Sequence, residues 1–242
     1  MSTDKSYLAL RLEGPLQSWG FDSQYNRRNT GLMPTKSAIA GMCCAALGWS
    51  RGSGEERKFL LSFGELKMTA IAIPRRGVKK NLPAQRLEDY HTVGGGYGPN
   101  DLAERRSITV SAEDGKPRAK NGQALAVLTR RQYLTDASFG VLLEGDGALL
   151  REVALALSDP KWGIWLGRKT CIPTAPVLAG LMNSYDDAIR LIVGDKPLAA
   201  FMRQEDAASF SDGLDSIPDM AVSFDPAHRM FVPRRVTTVQ AS

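Results

Sequence analysis

The sequence has few of the residues that build metal centres or disulfide frameworks. It contains two histidines, His91 and His228, and three cysteines, Cys43, Cys44 and Cys171. Three cysteines, two of them adjacent, do not suit a disulfide framework. None of these residues has the spacing of a zinc site. We therefore expect a protein without disulfides, without a metal and without another cofactor.

Long apolar runs are also missing. The longest apolar stretches, Ala38 to Leu47 and Ala148 to Leu157, fall well short of the roughly 20 residues that span a bilayer. The first residues lack the apolar segment and small-residue cleavage site of a secretory signal. With 43% hydrophobic and 24% charged residues, the 242-residue chain has the composition of one globular domain or two small ones. We expect a cytoplasmic protein with no membrane contact.

Charge of both signs is present but is unevenly distributed. The chain has 31 Lys and Arg against 26 Asp and Glu, a formal net charge of +5. Residues 75–131 hold twelve basic and six acidic residues, whereas residues 182–225 hold three basic and nine acidic residues. Because neutralisation of phosphates by Lys and Arg supplies most non-specific affinity for nucleic acids, the basic middle indicates contact with a polyanion. A solvated surface loop is the alternative interpretation.

Hydrophobic periodicity predicts an α+β fold. Three segments are predicted strands: Ser6 to Glu13 and Leu66 to Ile73, which have a period of two, and Ala137 to Glu144. Two segments are predicted helices: Lys36 to Gly48, with Thr35 as N-cap, and Gly147 to Leu157. Gly163 to Leu166 is a candidate for a short fourth strand. This order is typical of a ferredoxin-like (RRM-like) domain, whose antiparallel sheet carries helices on one face and leaves the other free for RNA bases.

A long basic segment without core periodicity interrupts this domain. Its length, glycines and charge suggest a functional thumb or hairpin, inserted at about residues 75–130 into a domain of residues 1–175. We expect it to order only on its ligand. Residues 176–242 are acidic and turn-rich, with one predicted helix from Tyr185 to Val193 and a strand from Arg229 to Val232. We interpret them as a small, β-rich C-terminal lobe.

The segment after the first strand, Glu13 to Gly20 (EGPLQSWG), carries groups suited to RNA contact at the edge of a sheet. Gln17 supplies an amide, Trp19 a stacking surface, and Gly20 allows a tight turn. The alternative is that Trp19 packs in the core, as large aromatic residues usually do.

Basic residues recur at the predicted rim of the sheet. Lys36 and Ser37 begin the first helix, where backbone N–H groups and the helix dipole bind phosphate; an ordinary capped helix is the alternative. Two further clusters are expected at one rim: Arg130-Arg131-Gln132-Tyr133 and Gly167-Arg168-Lys169. Guanidinium groups fork onto phosphates and stack on bases, although such clusters also occur as plain surface charge.

His91 is the candidate for acid–base chemistry. With Tyr90 or Lys79 nearby, it would suit the general base of a metal-independent ribonuclease. A lone histidine beside a carboxylate, here Asp89, is more often structural. No second catalytic partner is identifiable from the sequence.

Five collinear blocks make the sequence similar to a known family. They are EGPLQSWG, PTKSAIAGM, LEDYHTVGG, RRQYLTDASFGVLL and WLGRKTCIPTAPV, and they span residues 13–177. In this order they closely resemble the CasD family of the RAMP superfamily, whose members hold the 5′ handle of crRNA in the type I-E CRISPR Cascade complex. A final MFVPRR is similar to the family's last strand.

The resemblance implies a non-catalytic RNA-binding subunit for crRNA-guided recognition of foreign double-stranded DNA in antiviral defence. It implies as partners the 5′ handle of crRNA, the backbone subunits and the large subunit of Cascade, and target DNA within the complex. The alternative is a metal-independent endoribonuclease that processes precursor crRNA, as relatives of the family do in type I-C systems. The candidate RNA-binding residues lie in the matching blocks or in nearby basic pairs: Gln17, Trp19, Gly20, Arg27, Arg28, Lys36, Ser37, Arg105, Arg106, Arg130, Arg131, Tyr133, Gly167, Arg168 and Lys169.

Overall fold

The computed structural model describes residues 5–20, 23–24, 26–74, 85–93 and 127–241, which form two β-sheets and four α-helices. The strands are β1 (Lys5–Glu13), β2 (Leu16–Gln17), β3 (Ser23–Gln24), β4 (Arg27–Arg28), β5 (Lys67–Ala72), β6 (Gln85–Val93), β7 (Val127–Thr135), β8 (Ser138–Asp146), β9 (Leu178–Met182), β10 (Arg203–Asp206), β11 (Asp215–Ser223) and β12 (Met230–Val239). The helices are α1 (Lys36–Leu47), α2 (Gly54–Gly64), α3 (Gly147–Ser158) and α4 (Tyr185–Val193), followed by a short 3₁₀ turn at Leu198–Ala200. None of these helices is long and apolar enough to cross a membrane. The predicted α+β class is confirmed.

The larger sheet has seven strands in the order β11-β12-β10-β5-β8-β1-β9, and every neighbouring pair is antiparallel. α1 follows β1 and, together with α2, leads to β5, whereas α3 connects β8 to β9. Local sequence determines where α1 begins and ends. The Thr35 side chain accepts a hydrogen bond from the backbone N–H of Ala38, and Gly48 closes the helix in the left-handed conformation with φ of 75°.

The main core lies between one face of this sheet and α1, α2 and α3. Alternate residues of β1, Leu8, Leu10 and Leu12, are fully buried there, as the period of two predicts. Ile39 of α1 and Phe63 of α2 pack into the same core. Burying such side chains stabilises the fold by about 1.5–3 kcal/mol each.

The other face of the sheet was predicted to be free, and this prediction is wrong. α4 and the residues after it cover that face, and form a second apolar cluster with Ala9, Ile71 and Leu142. Ile192 of α4 packs so closely on the sheet that a Cβ added at Gly140 of β8 would overlap its Cγ2 atom. Both faces are apolar at the centre of the sheet, so bases cannot stack there without displacing α4.

The C-terminal strands extend the same sheet across the domain boundary predicted at residue 175. β9, and not Gly163 to Leu166, is the strand beside β1, so a boundary at residue 175 would separate two paired strands. β10 pairs with β5 on one side and with β12 on the other. The last strand was predicted from Arg229 to Val232, but it is longer and runs from Met230 to Val239.

Buried charges attach these C-terminal strands to α1. The Arg234 guanidinium donates to Asp219 Oδ1 at 2.6 Å and Oδ2 at 2.9 Å, and it also bonds Asp206. Lys36 Nζ donates to Asp206 Oδ2 at 3.0 Å, and the Lys36 backbone N–H donates to Asp219 Oδ2 at 2.8 Å. Because each buried charge faces a charge of opposite sign, the cost of removing these groups from water is offset.

The smaller sheet is formed around a hairpin in the segment predicted to be a thumb. β6 and β7 pair antiparallel from Gln85 opposite Thr135 to Val93 opposite Val127. β7 pairs in addition with β2 and, in parallel, with β4. Residues 94–126 between the two strands, and with them Arg105 and Arg106, lie outside the described residues.

Candidate nucleic-acid interface

A groove lies where β4, the segment after β1, the start of α1, the loop before β9 and the C-terminal strands meet. Its volume is about 420 Å³. Three arginines, Arg28, Arg168 and Arg229, line it together with small and hydroxyl-bearing residues that include Ser37. Of the described lining residues, Asp219 is the one carboxylate, and Arg234 and the start of α1 already neutralise it. The groove is therefore cationic and suits an anionic ligand.

Arg168 is held at the groove by the hairpin strand β7 and by β4. Its guanidinium donates to the backbone carbonyl of Gln132 at 3.1 Å and to that of Arg28 at 2.6 Å. It also lies over the ring of Tyr133, 4.8 Å from the ring centre, in a cation–π contact. Two of the five N–H groups of Arg168 are used in these bonds, so the side chain is fixed in place while retaining donors for a ligand.

Gly167 allows the loop between α3 and β9 to approach the segment after β1. Its φ is +95°, and a Cβ at this position would overlap the backbone carbonyl of Ser18. The two segments are joined there by a hydrogen bond from the Ser18 N–H to the Leu166 carbonyl, at 3.0 Å. Ser18 Oγ also donates to the Gln132 carbonyl at 3.2 Å. Only glycine permits this contact, which brings three predicted blocks together.

Four of the candidate arginines lie side by side in the smaller sheet. The parallel pairing of β4 with β7 places Arg27 opposite Arg130 and Arg28 opposite Arg131. Glu88 lies near Arg130, at 3.9 Å between two half-exposed side chains, which is a weak ion pair. Like charges directly opposite each other destabilise a sheet unless a counter-charge is supplied. This arrangement favours the binding of a polyanion at the hairpin base.

Three candidates from the sequence, Gln17, Trp19 and Lys36, are buried and serve the fold. Gln17 Nε2 donates to the carbonyls of Leu12 at 2.9 Å and Ala137 at 2.7 Å, while its Oε1 accepts from Trp19 Nε1 at 3.2 Å. Both Gln17 and Trp19 have no exposed surface. Direct RNA contact by these side chains is contradicted, because their polar groups are already satisfied inside the protein.

Lys36 is corrected in the same way. The residue is 3% exposed, and its side chain donates to the carbonyls of Gly64 and Leu66 as well as to Asp206. The backbone N–H at this helix start donates to Asp219, so a carboxylate of the protein already holds the place proposed for a phosphate. Ser37 does line the groove, and its hydroxyl lies 3.4 Å from Thr35 Oγ1.

The remaining candidates fall into three groups. Gly20 is exposed and lines the groove with Arg28 and Gly167, whereas Lys169 is exposed and is not among the lining residues. Tyr133 is 4% exposed and contacts the site through Arg168. Arg105 and Arg106 cannot be placed, because they belong to residues 94–126.

His91 lies on β6, away from the lining of the groove. Its Nδ1 atom is 3.3 Å from Asp89 Oδ2, and both side chains are partly exposed. The register of the hairpin sets His91 opposite Thr129 and Asp89 opposite Arg131. Among the described residues, no group of three or more His, Cys, Asp or Glu side chains is placed to hold a metal ion.

Sequence reasoning missed Arg229 and Phe231, which line the groove on the β12 side. The Arg229 guanidinium lies 5.3 Å from the centre of the Phe231 ring. Arg229 directly precedes the MFVPRR segment and Phe231 lies within it. The sequence alone predicts only a strand for this segment. An arginine followed two residues later by an aromatic residue on a strand was the available signal, since such side chains share one face.

The fold and the groove define an α+β protein with an arginine-lined groove beside the β6–β7 hairpin. A family model described as CRISPR-associated protein (Cas_Cas5) matches residues 7–237. The chain belongs to this Cas5 family of CRISPR-associated proteins.

Individual relatives agree with this assignment. The chain is 29% identical to the CRISPR system Cascade subunit CasD of Escherichia coli (strain K12) over 186 residues. The aligned region covers 75% of this chain and 74% of that protein. It is similar to a chain of a solved CRISPR RNA-guided surveillance complex, with a TM-score of 0.71, 29% identity and coverage of 97% of this chain and 90% of the other. A crystal structure of a Cas protein matches with a TM-score of 0.61, 25% identity and 98% coverage of both chains. The predicted resemblance to CasD is confirmed.

Proposed function

We propose that this chain is a non-catalytic RNA-binding subunit of a type I-E CRISPR Cascade complex and that it holds the 5′ handle of crRNA. The observation that carries this proposal is the cationic groove, in which Arg168 is fixed against Tyr133 beside the arginines of β4. Membership of the Cas5 family and similarity to CasD support the assignment to such a complex.

The strand order β5-β8-β1-β9, with α1 and α3 as connections, supports a ferredoxin-like central domain. Because α4 covers one face of that domain, RNA binds at its rim and not across the sheet. In this proposal the base of the hairpin and the groove grip the RNA end through phosphates and a few splayed bases. Pairing between the guide and the target then reads the DNA sequence. The backbone subunits, the large subunit and the target DNA are the other partners, in the cytoplasm.

The test is co-expression of the chain with its neighbouring CRISPR genes and array, followed by purification and sequencing of the bound RNA. We expect RNA with a uniform 5′ end derived from the repeat. Arg168→Gln should reduce the RNA recovered, because it removes the fixed guanidinium. Arg190→Gln is the matched control. Arg190 is an exposed arginine of α4, the helix that covers the sheet, and it pairs with Asp187 at 3.2 Å. Purification of the chain with its partners but without RNA would refute the proposal.

A second measurement separates this function from the ribonuclease alternative. The purified chain is incubated in EDTA with labelled repeat RNA, and the products are resolved on a gel. We expect no specific cut. A specific cut that disappears in His91→Ala would replace the non-catalytic function with a metal-independent endoribonuclease, since His91 and its neighbour Asp89 would then be the acid–base pair.

A further inference from the structure

The β12 side of the groove carries cationic and aromatic groups that the contacts at Arg168 do not explain. Arg229 comes directly before β12 and lines the groove together with Arg28 and Phe231. Its guanidinium lies over the Phe231 ring, 5.3 Å from the ring centre. An arginine oriented by an aromatic ring keeps its N–H groups available at the ring's edge, as does Arg168 over Tyr133.

Positive charge accumulates around Arg229. Partial burial of its guanidinium, and then the positive charges of Arg51 and Arg28, lower the pKa of Arg229 from its ordinary value. The neighbouring carboxylates are used elsewhere. Asp219 accepts from Arg234 and from the start of α1, and Asp225 pairs with Arg57 at 3.8 Å. A bound anion would relieve the repulsion between the three guanidinium groups.

We propose that Arg28 and Arg229, whose guanidinium lies over the Phe231 ring, form a second phosphate subsite for the same RNA strand that Arg168 holds. This inference rests on the proposed function, because it names a further contact for that RNA. The groove of about 420 Å³ is within the roughly 300–1,000 Å³ of sites that enclose a small ligand, so it has room for a nucleotide unit. Continuity of the lining from Arg168 to Arg229 favours one strand over an independent small anion.

The experiment measures binding of the full-length chain to a fluorescein-labelled RNA octamer with the 5′ sequence of the co-purified RNA. Fluorescence anisotropy is recorded at several salt concentrations. Arg229→Gln should weaken binding about tenfold, because it removes one phosphate contact. It should also reduce the slope of log affinity against log salt by about 0.7, the value for one phosphate of a single strand. Arg229→Lys should keep the slope, since it keeps the charge.

A phosphate-by-phosphate scan locates the contact. In separate octamers, each phosphate is replaced in turn by an uncharged methylphosphonate. At one position the replacement should weaken binding to the wild type and have no further effect on Arg229→Gln, because both changes remove the same interaction. For Arg168→Gln, the position without further effect should be a different one.

The controls keep the two proposals distinguishable. Arg190→Gln removes the same charge outside the groove and should bind as the wild type does. If Arg168→Gln weakens binding and Arg229→Gln matches Arg190→Gln at every salt concentration, the second subsite is refuted and the proposed function stands. If none of the three variants differs from the wild type, the proposed function itself fails. Arg229 is exposed, so its replacement leaves the fold intact; circular dichroism verifies this for each variant.

Discussion

Gly167→Ala should both destabilise the protein and weaken RNA binding. Residue 167 has φ of +95°, a region that costs a residue with a side chain about 1–3 kcal/mol. The added methyl group would overlap the Ser18 carbonyl, which belongs to the backbone and cannot rotate away. Separation of the two segments breaks the hydrogen bond between Ser18 and Leu166, worth about 0.5–1.5 kcal/mol. The total loss of unfolding free energy is roughly 1.5–4.5 kcal/mol.

The same displacement moves Arg168 away from the Tyr133 ring and from the carbonyls that fix it. Loss of one charged contact of about 1–3 kcal/mol corresponds to roughly a 5- to 150-fold drop in RNA affinity. Urea denaturation followed by circular dichroism gives the stability, and anisotropy with the octamer gives the affinity.

Gly194→Ala is the matched control for this prediction. Gly194 also has a positive φ, of 67°, but nothing lies within 4 Å of an added Cβ. It should lose stability through the backbone alone and should bind RNA normally. If Gly167→Ala has the same stability and the same RNA affinity as Gly194→Ala, the close approach at Ser18 does not position the groove.

Three further predictions concern the interior. Arg234→Met should lower the unfolding free energy by about 3–5 kcal/mol in urea, because it leaves buried carboxylates without their main partner; a loss under 1 kcal/mol would contradict this. Gly140→Ala should cost about 1–3 kcal/mol by overpacking against Ile192, and Ile192→Ala in the same chain should recover part of that loss; additive losses in a double-mutant cycle would refute the contact. Burial raises the pKa of Cys44 to about 12, so the folded state favours the neutral thiol. Stability should therefore be complete below about pH 8.5, the ordinary thiol value, and should fall as the pH rises above it; unfolding curves unchanged up to pH 10 would argue against a buried thiol.

The parts of the fold that local signals specify were predicted from the sequence. β1 and α1 were placed to within about two residues, because alternating leucines and the Thr35 and Gly48 caps are contained in short windows. α2 was missed, since its apolar residues are few and sit among charged ones. The cover on the second face was missed because Ala9, a small residue at a position taken as outward, gives little sign of burial.

The site was predicted in part for a similar reason. Arg28 and Arg168 were named from the sequence, and the structure brings them together. Lys36 was named as well but is buried, because its partner Asp206 lies 170 residues further along the chain, where no local pattern can reveal it. Residue type shows which functional groups are available. Burial by distant segments determines which of these groups remain free to bind a ligand.

The position of β10 affects how the chain is made. β5 is complete early in synthesis, yet its outer edge is paired only when Arg203–Asp206 have left the ribosome. Until then β5 presents an open edge to other nascent chains, and Lys36 lacks the carboxylate that accompanies its burial. A chain truncated between α4 and β10 should therefore leave the outer edge of β5 open to edge-to-edge association.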